Sequence, residues 1–142
     1  MGKNLIAKIN SKINASVDKV WEALINPAIV EKYMLGAKQK SDLTVNSPIT
    51  WDKMMNENRF TDRGTILEIS ENKLISYSHY SPLSGKTDIP ENYAVVRIKL
   101  TTDQESTLLS LESSNNDDIY EKLETEKIWQ YYMLGLKIIC EM

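Results

Sequence analysis

One cysteine, one histidine and one phenylalanine are all that the 142 residues contain of these types, and each scarcity closes off a chemistry. Cys140 alone can form neither an internal disulfide nor a multi-cysteine metal site. His79 alone removes two-histidine metal centres, and it has no reactive cysteine nearby in sequence and no obvious carboxylate pair to work with. Arginine is scarce too: Arg59, Arg63 and Arg97 are the whole complement, and the densest basic run is the diluted Lys38-Gln39-Lys40. With 17 basic against 20 acidic residues the net charge is −3, so the clustered positive footprint of a nucleic-acid binder is missing. No run of ~18 apolar residues is available to cross a membrane. The segment Met1–Lys8 is interrupted by polar residues and has no signal-peptide core, and Ile6 stands where a myristoylation signal after Gly2 needs Ser or Thr. These absences predict a cytoplasmic protein without a nucleic-acid partner, membrane insertion, metal or cofactor.

What is present suffices for one core. Hydrophobic residues make up 42% and charged residues 26%, an ordinary globular balance, and the length predicts a single domain over 1–142. Leu5 to Ile13 alternates with period two and predicts a half-buried strand. Ser16 is a cap in front of the helical stripe Val17, Val20, Trp21 and Leu24. Asn26-Pro27 restarts a second short helix carrying Ile29, Val30, Tyr33 and Met34, with Gly36 as its C′ stop. From Ala37 onward the period is two again. It predicts strands over 39–43, 49–53, 61–69, 74–80, 93–101 and 106–113, joined mostly by Asn- and Ser-bearing turns into an antiparallel meander. Asp118 and Glu121 form a capping box for a long last helix. Ile119, Leu123, Trp129, Met133, Leu136 and Cys140 are expected on its sheet-facing side.

Strand, helix pair, six-strand meander and long C-terminal helix together resemble the α+β helix-grip fold of the START, polyketide-cyclase and birch-pollen-allergen (SRPBCC) superfamily. The residues are most similar to its bacterial branch related to the activator of the Hsp90 ATPase. Three stretches carry the likeness. They are Ile13–Leu24 with Asn26-Pro27; Gly64–Ile69 with Lys73–Tyr77; and Ile89–Tyr93 with Leu108–Leu111, Trp129 and Leu136-Lys137. Tyr33 departs from the Trp that many relatives carry at the end of the second helix. The resemblance implies a cavity between the long helix and a curved sheet that takes a hydrophobic or amphipathic small molecule, in a monomer or homodimer. It brings no universal catalytic residues.

The candidates for lining such a cavity are Trp129, Tyr132, Met133 and Leu136 on the helix, Tyr33 beside it, and Trp51, Ile66, Tyr77, His79, Val96, Ile98, Leu109 and Leu111 on the sheet. The same residues read equally as core filling. Trp129 is expected to be largely buried. Ser81–Asn92, long for a hairpin and holding two prolines, predicts a loop at the cavity mouth, and the turn Met54–Asn58 a second rim. Asp62 and Glu68 are expected on the outer face of the sheet. An alternative is a cyclase- or hydrolase-type enzyme using His79 or a cavity carboxylate such as Glu68 as base. A second alternative is a chaperone-linked or stress-related interaction module.

Overall fold

The structure is a computed structural model, and it describes residues 5–142. The reading of Met1–Asn4 as part of a leaderless start, with Gly2, lies outside the described residues. β1 (Leu5–Ile13) is followed by α1 (Val17–Ile25) and α2 (Pro27–Tyr33). Six strands follow: β2 (Lys38–Ser41), β3 (Pro48–Met55), β4 (Asn58–Ser70), β5 (Leu74–His79), β6 (Ala94–Asp103) and β7 (Ser106–Asn116). α3 (Ile119–Cys140) ends the chain. The sheet is antiparallel with strand order β1-β7-β6-β5-β4-β3-β2, so the helix pair carries the chain from one edge of the sheet to the other. This is the α+β helix-grip architecture.

The local causes are those of the sequence. In β1 the inward set Ala7, Ile9 and Ile13 is buried while Lys8, Asn10 and Lys12 face solvent. Ser16 Oγ accepts from the Lys19 N–H at 3.4 Å, and Asn26 Oδ1 accepts from the Ala28 N–H at 3.0 Å ahead of Pro27. Asp118 Oδ1 accepts from the Glu121 N–H at 2.9 Å, and Glu121 Oε1 reaches back to the Asp117 N–H at 2.8 Å. One cap differs from expectation. α2 ends with Leu35 in the left-handed region at φ 55°, and Gly36 follows it, its N–H donating to the Glu31 carbonyl at 2.9 Å. Gly36 therefore holds the C″ position of a Schellman motif, and Leu35 takes the left-handed C′ position.

Two features bend β4. Gly64 lies so close to the backbone of Ser78 on β5 that a Cβ would overlap the Ser78 carbonyl. The pairing register then slips between Ile66 and Glu68, a bulge that turns the strand. The core between the sheet and the helices is filled by Ile13, Val20, Val30, Ile49, Ile66, Val96, Leu109, Leu111 and Leu136, all at most 1% exposed.

α3 closes this core over part of its length. Met133, Leu136 and Cys140 are buried, and Gly135 lets the helix pass against α2, where a Cβ would stand 2.9 Å from that of Tyr33. Ile119 and Leu123, expected on the buried face, are 51% and 52% exposed, which corrects the helical register read from the sequence. Trp129 is partly buried rather than largely so. The N-terminal half of α3 overhangs the sheet and is held to it by polar contacts rather than apolar packing: Glu126 accepts from the Lys8 N–H at 3.0 Å, and Thr125 Oγ1 donates to Asn116 Oδ1 at 2.8 Å.

Candidate functional site

Under that overhang lies a cleft of about 390 Å³, within the size range of small-molecule sites. Its helix side presents Glu121, Thr125, Ile128, Trp129 and Tyr132, residues spaced by helical turns on one face. Its sheet side carries Trp51 and Lys53 of β3, Asp62 of β4, and Tyr77 and His79 of β5. Period two explains this grouping. Residues 51 and 53, and again 77 and 79, share a strand face, and Asp62 stands directly across from Trp51 in the β3–β4 ladder.

Aromatic rings form the walls. The Trp51 ring lies 5.1 Å from Tyr77 and 5.4 Å from His79, centroid to centroid, the latter edge-on at 70°. Trp51 is fixed by its Nε1–H, which donates to Gln39 Oε1 at 2.9 Å, and Gln39 Nε2 in turn donates to the Leu24 carbonyl at 3.2 Å. Trp129 and Tyr132 meet edge to face, 5.6 Å apart at 88°.

The floor is polar. Asp62 is 1% exposed, which overturns its expected place on the outer face. Its Oδ2 accepts from Lys53 Nζ at 2.8 Å and from His79 Nε2 at 3.0 Å. Burial alone would raise the Asp62 carboxyl, but the His79 hydrogen bond and the Lys53 ammonium outweigh it and hold the group below the ordinary carboxylate range. Asp62 Oδ1 is buried and receives no donor among the described residues. A carboxylate can only accept, so the Nε2–H of His79 is the donor in this contact. Burial pushes the Tyr77 hydroxyl well above the usual phenol range, so it stays neutral.

The loop 81–92 borders the cleft through Ser81, Ser84, Lys86 and Asn92. It is tied to the sheet by Tyr80 Oη, which donates to the Lys86 carbonyl at 2.7 Å, by Tyr93 Oη, which donates to Asp88 at 2.6 Å, and by the Arg63–Asp88 ion pair. Toward α3 it reaches across with Lys86 Nζ, 3.0 Å from Asp117 and 3.2 Å from Glu121. Partial burial would lower the Lys86 ammonium, but these two carboxylates raise it above the ordinary lysine value.

Of the residues proposed from sequence, Trp51, Tyr77, His79, Trp129 and Tyr132 line this cleft. Tyr33, Ile66, Val96, Leu109, Met133 and Leu136 do not. They fill the core, and Tyr33 spends its hydroxyl on the Ala23 carbonyl at 2.8 Å. Met54 and Met55 point to solvent, 67% and 53% exposed, away from the rim assigned to them. Glu68, once a candidate base, is exposed beside Arg97 at 3.5 Å. The bulge at 66–68 removes it from the inward face. Lys53 and Asp62 were missed as a cleft pair, although Asp62, Gly64 and Ile66 alternate inward from a residue already assigned to the core. Among the described residues no cluster of three or more His, Cys, Asp and Glu could hold a metal ion, and no helix is long and apolar enough to cross a membrane.

The sequence pattern of the Activator of Hsp90 ATPase homolog 1-like proteins matches residues 14–141. The chain belongs to that family. A protein of Cytophaga hutchinsonii solved in solution is 42% identical, with a TM-score of 0.83 over 94% of this chain and 91% of that one. The Aha1 dimer of Colwellia psychrerythraea is 18% identical, with a TM-score of 0.76 and 97% of each chain covered. CalU16 of Micromonospora echinospora is 19% identical, with a TM-score of 0.72 over 96% of this chain and 83% of that one. At those two lower identities the likeness concerns the fold. No curated protein matches the sequence.

Proposed function

We propose that this Activator of Hsp90 ATPase homolog 1-like protein is a cytoplasmic binding domain for an amphipathic aromatic small molecule held between α3 and the sheet. One observation carries the reading: the cleft joins rigid aromatic walls to a polar floor on which Lys53 and His79, both held by the buried Asp62 carboxylate, keep solvent contact. Apolar area and ring contacts supply affinity in such a site, while a few polar groups fix orientation. Binding of planar aromatic compounds, read by calorimetry and by the melting temperature, tests it. Trp129→Ala is expected to weaken that binding at least tenfold. Wild-type protein that binds no member of an apolar and amphipathic aromatic panel would refute it.

A second reading concerns assembly, and we infer a homodimer through the outer face of α3. Tyr120, Tyr131, Leu134 and Ile138 repeat at helical spacing on that face and are 55–77% exposed. The Colwellia relative is a dimer by its description. Sedimentation of wild type and of Leu134→Glu decides: the expected dimer dissociates in the variant, and a monomeric wild type would refute the assembly.

A further inference from the structure

The carboxylates on the cleft are spent or sealed, while one of its cations has capacity left. The Asp62 side chain is 2% exposed, and its Oδ2 already accepts from both Lys53 and His79. Glu121 accepts from the Asp117 N–H and pairs with Lys86, whose ammonium is shared between Glu121 and Asp117. Lys53 differs. Its Nζ carries three protons and is seen to give one hydrogen bond, to Asp62 at 2.8 Å. Its side chain keeps 23% exposure and lines the cleft.

The position of that ammonium is fixed. Asp62 stands directly across from Trp51 in the β3–β4 ladder, so its hold on Nζ draws the lysine back toward the row of Trp51. Tyr77 and His79 pack against the same indole. The charge thus lies beside the aromatic walls instead of at the tip of a free side chain. His79 serves only as the second donor to Asp62. A ligand carboxylate on the cleft side of Lys53 is nearer to the ammonium than to the Asp62 carboxylate behind it, and the shorter distance makes attraction exceed repulsion. The ammonium has already given up most of its water, so pairing costs it less hydration than an exposed lysine would lose. A cationic ligand would meet Lys53 with no open carboxylate to answer it. A neutral acceptor would gain the hydrogen bond without the charge. Resting on the aromatic-ligand reading above, we propose that Lys53 is the anchor for an anion and that the ligands of this cleft are aromatic carboxylates.

The test compares azobenzene-4-carboxylate with azobenzene-4-carboxamide and 4-phenylazophenol, which keep the rings but carry uncharged polar groups, by calorimetry in neutral buffer. The carboxylate is expected to bind wild-type protein at least tenfold more tightly than either. The double variant Lys53→Met with Asp62→Asn removes both charges together and leaves no unpaired ion in the floor; there the preference is expected to vanish. In wild type, the side-chain NMR signals of Lys53 should move on saturation with the carboxylate and hold still with the carboxamide, which reads the contact without any variant. If the uncharged compounds bind and the carboxylate binds no more tightly, or if the Lys53 signals ignore it at saturation, the anion anchor is refuted and the aromatic cleft stands. A folded double variant that keeps the preference refutes the anchor equally. If none of the three compounds binds, both readings fall.

Discussion

The two halves of α3 belong to one helix and meet the same sheet in opposite ways. The C-terminal half buries Met133, Leu136 and Cys140, and a glycine at 135 brings its backbone close to α2. The N-terminal half leaves Ile119 and Leu123 in solvent and turns Glu121, Thr125 and Trp129 toward an open cleft, which Tyr132, just past the midpoint, also borders. The difference shows that the helix is packed into the core at one end, while at the other it roofs a cavity and is tied to the sheet by hydrogen bonds of Thr125 and Glu126. Stability should therefore be concentrated toward the C-terminus and ligand affinity toward the middle and N-terminus.

Substitutions along the helix can break that division. Leu136→Ala removes a fully buried side chain from the anchored half; it should cost about 3–5 kcal/mol in urea unfolding, and a loss below 1 kcal/mol would place the anchor elsewhere. Gly135→Ala puts a methyl 2.9 Å from the Tyr33 Cβ, so the helix or α2 must shift at a cost of about 1–3 kcal/mol. Trp129→Ala, in the roofing half, should cost less, below about 2 kcal/mol because the ring is only partly removed from water, while it strips the cleft of a wall. If Trp129→Ala proves as destabilising as Leu136→Ala, the two halves are energetically alike and the comparison fails.

The cleft floor adds a pH signature. The folded-state pKa of Asp62 lies below its unfolded value of about 3.9, lowered by His79 and Lys53 against the cost of burial. Its contribution is thus fully present above the unfolded value and is lost as pH falls through that value toward the folded one. Wild-type stability should drop over this acidic window, and Asp62→Asn should be less stable at neutral pH with a flatter acid limb. An unchanged acid limb would show that Asp62 is not held as an ion. Smallest of all, Lys86→Met should cost under about 1 kcal/mol, because its pairs with Asp117 and Glu121 are partly exposed. It should speed proteolysis in the loop 81–92, and the same acceleration should follow added salt in wild type.

Much of the fold was readable because the governing signals are local. Period two in β1, the caps at Ser16, Asn26 and Asp118, and the turn residues between strands each act within a few positions. The site was readable where a face is set by alternation alone, as for Trp51, Tyr77 and His79. It was obscured where long-range geometry intervenes. Alternation puts Asp62 and Glu68 on one face of β4, and the outer face is expected for both; the bulge between Ile66 and Glu68 separates them, leaving Asp62 inward and Glu68 outward. The pairing of Lys53 with Asp62 depends on the β3–β4 register. The overhang of α3 depends on where the helix is pinned, by Gly135 and Leu136. An apolar stripe such as Ile119, Leu123 and Trp129 looks the same over a packed floor and over an empty one, so Tyr33, Val96 and Met133 could not be told from cleft residues by type.

The most direct test of the account uses the indole N–H signals of its three tryptophans, which sample the two regions. Trp51 and Trp129 line the cleft, whereas Trp21 is buried in the core on α1. On titration with 4-phenylazophenol, the proton–nitrogen spectrum should show saturable shifts of the Trp51 and Trp129 indole signals with a single affinity, while Trp21 stays in place. A ligand that shifts Trp21 as strongly as the other two, or that moves none of them at saturation, would contradict a binding cleft roofed by the N-terminal half of α3.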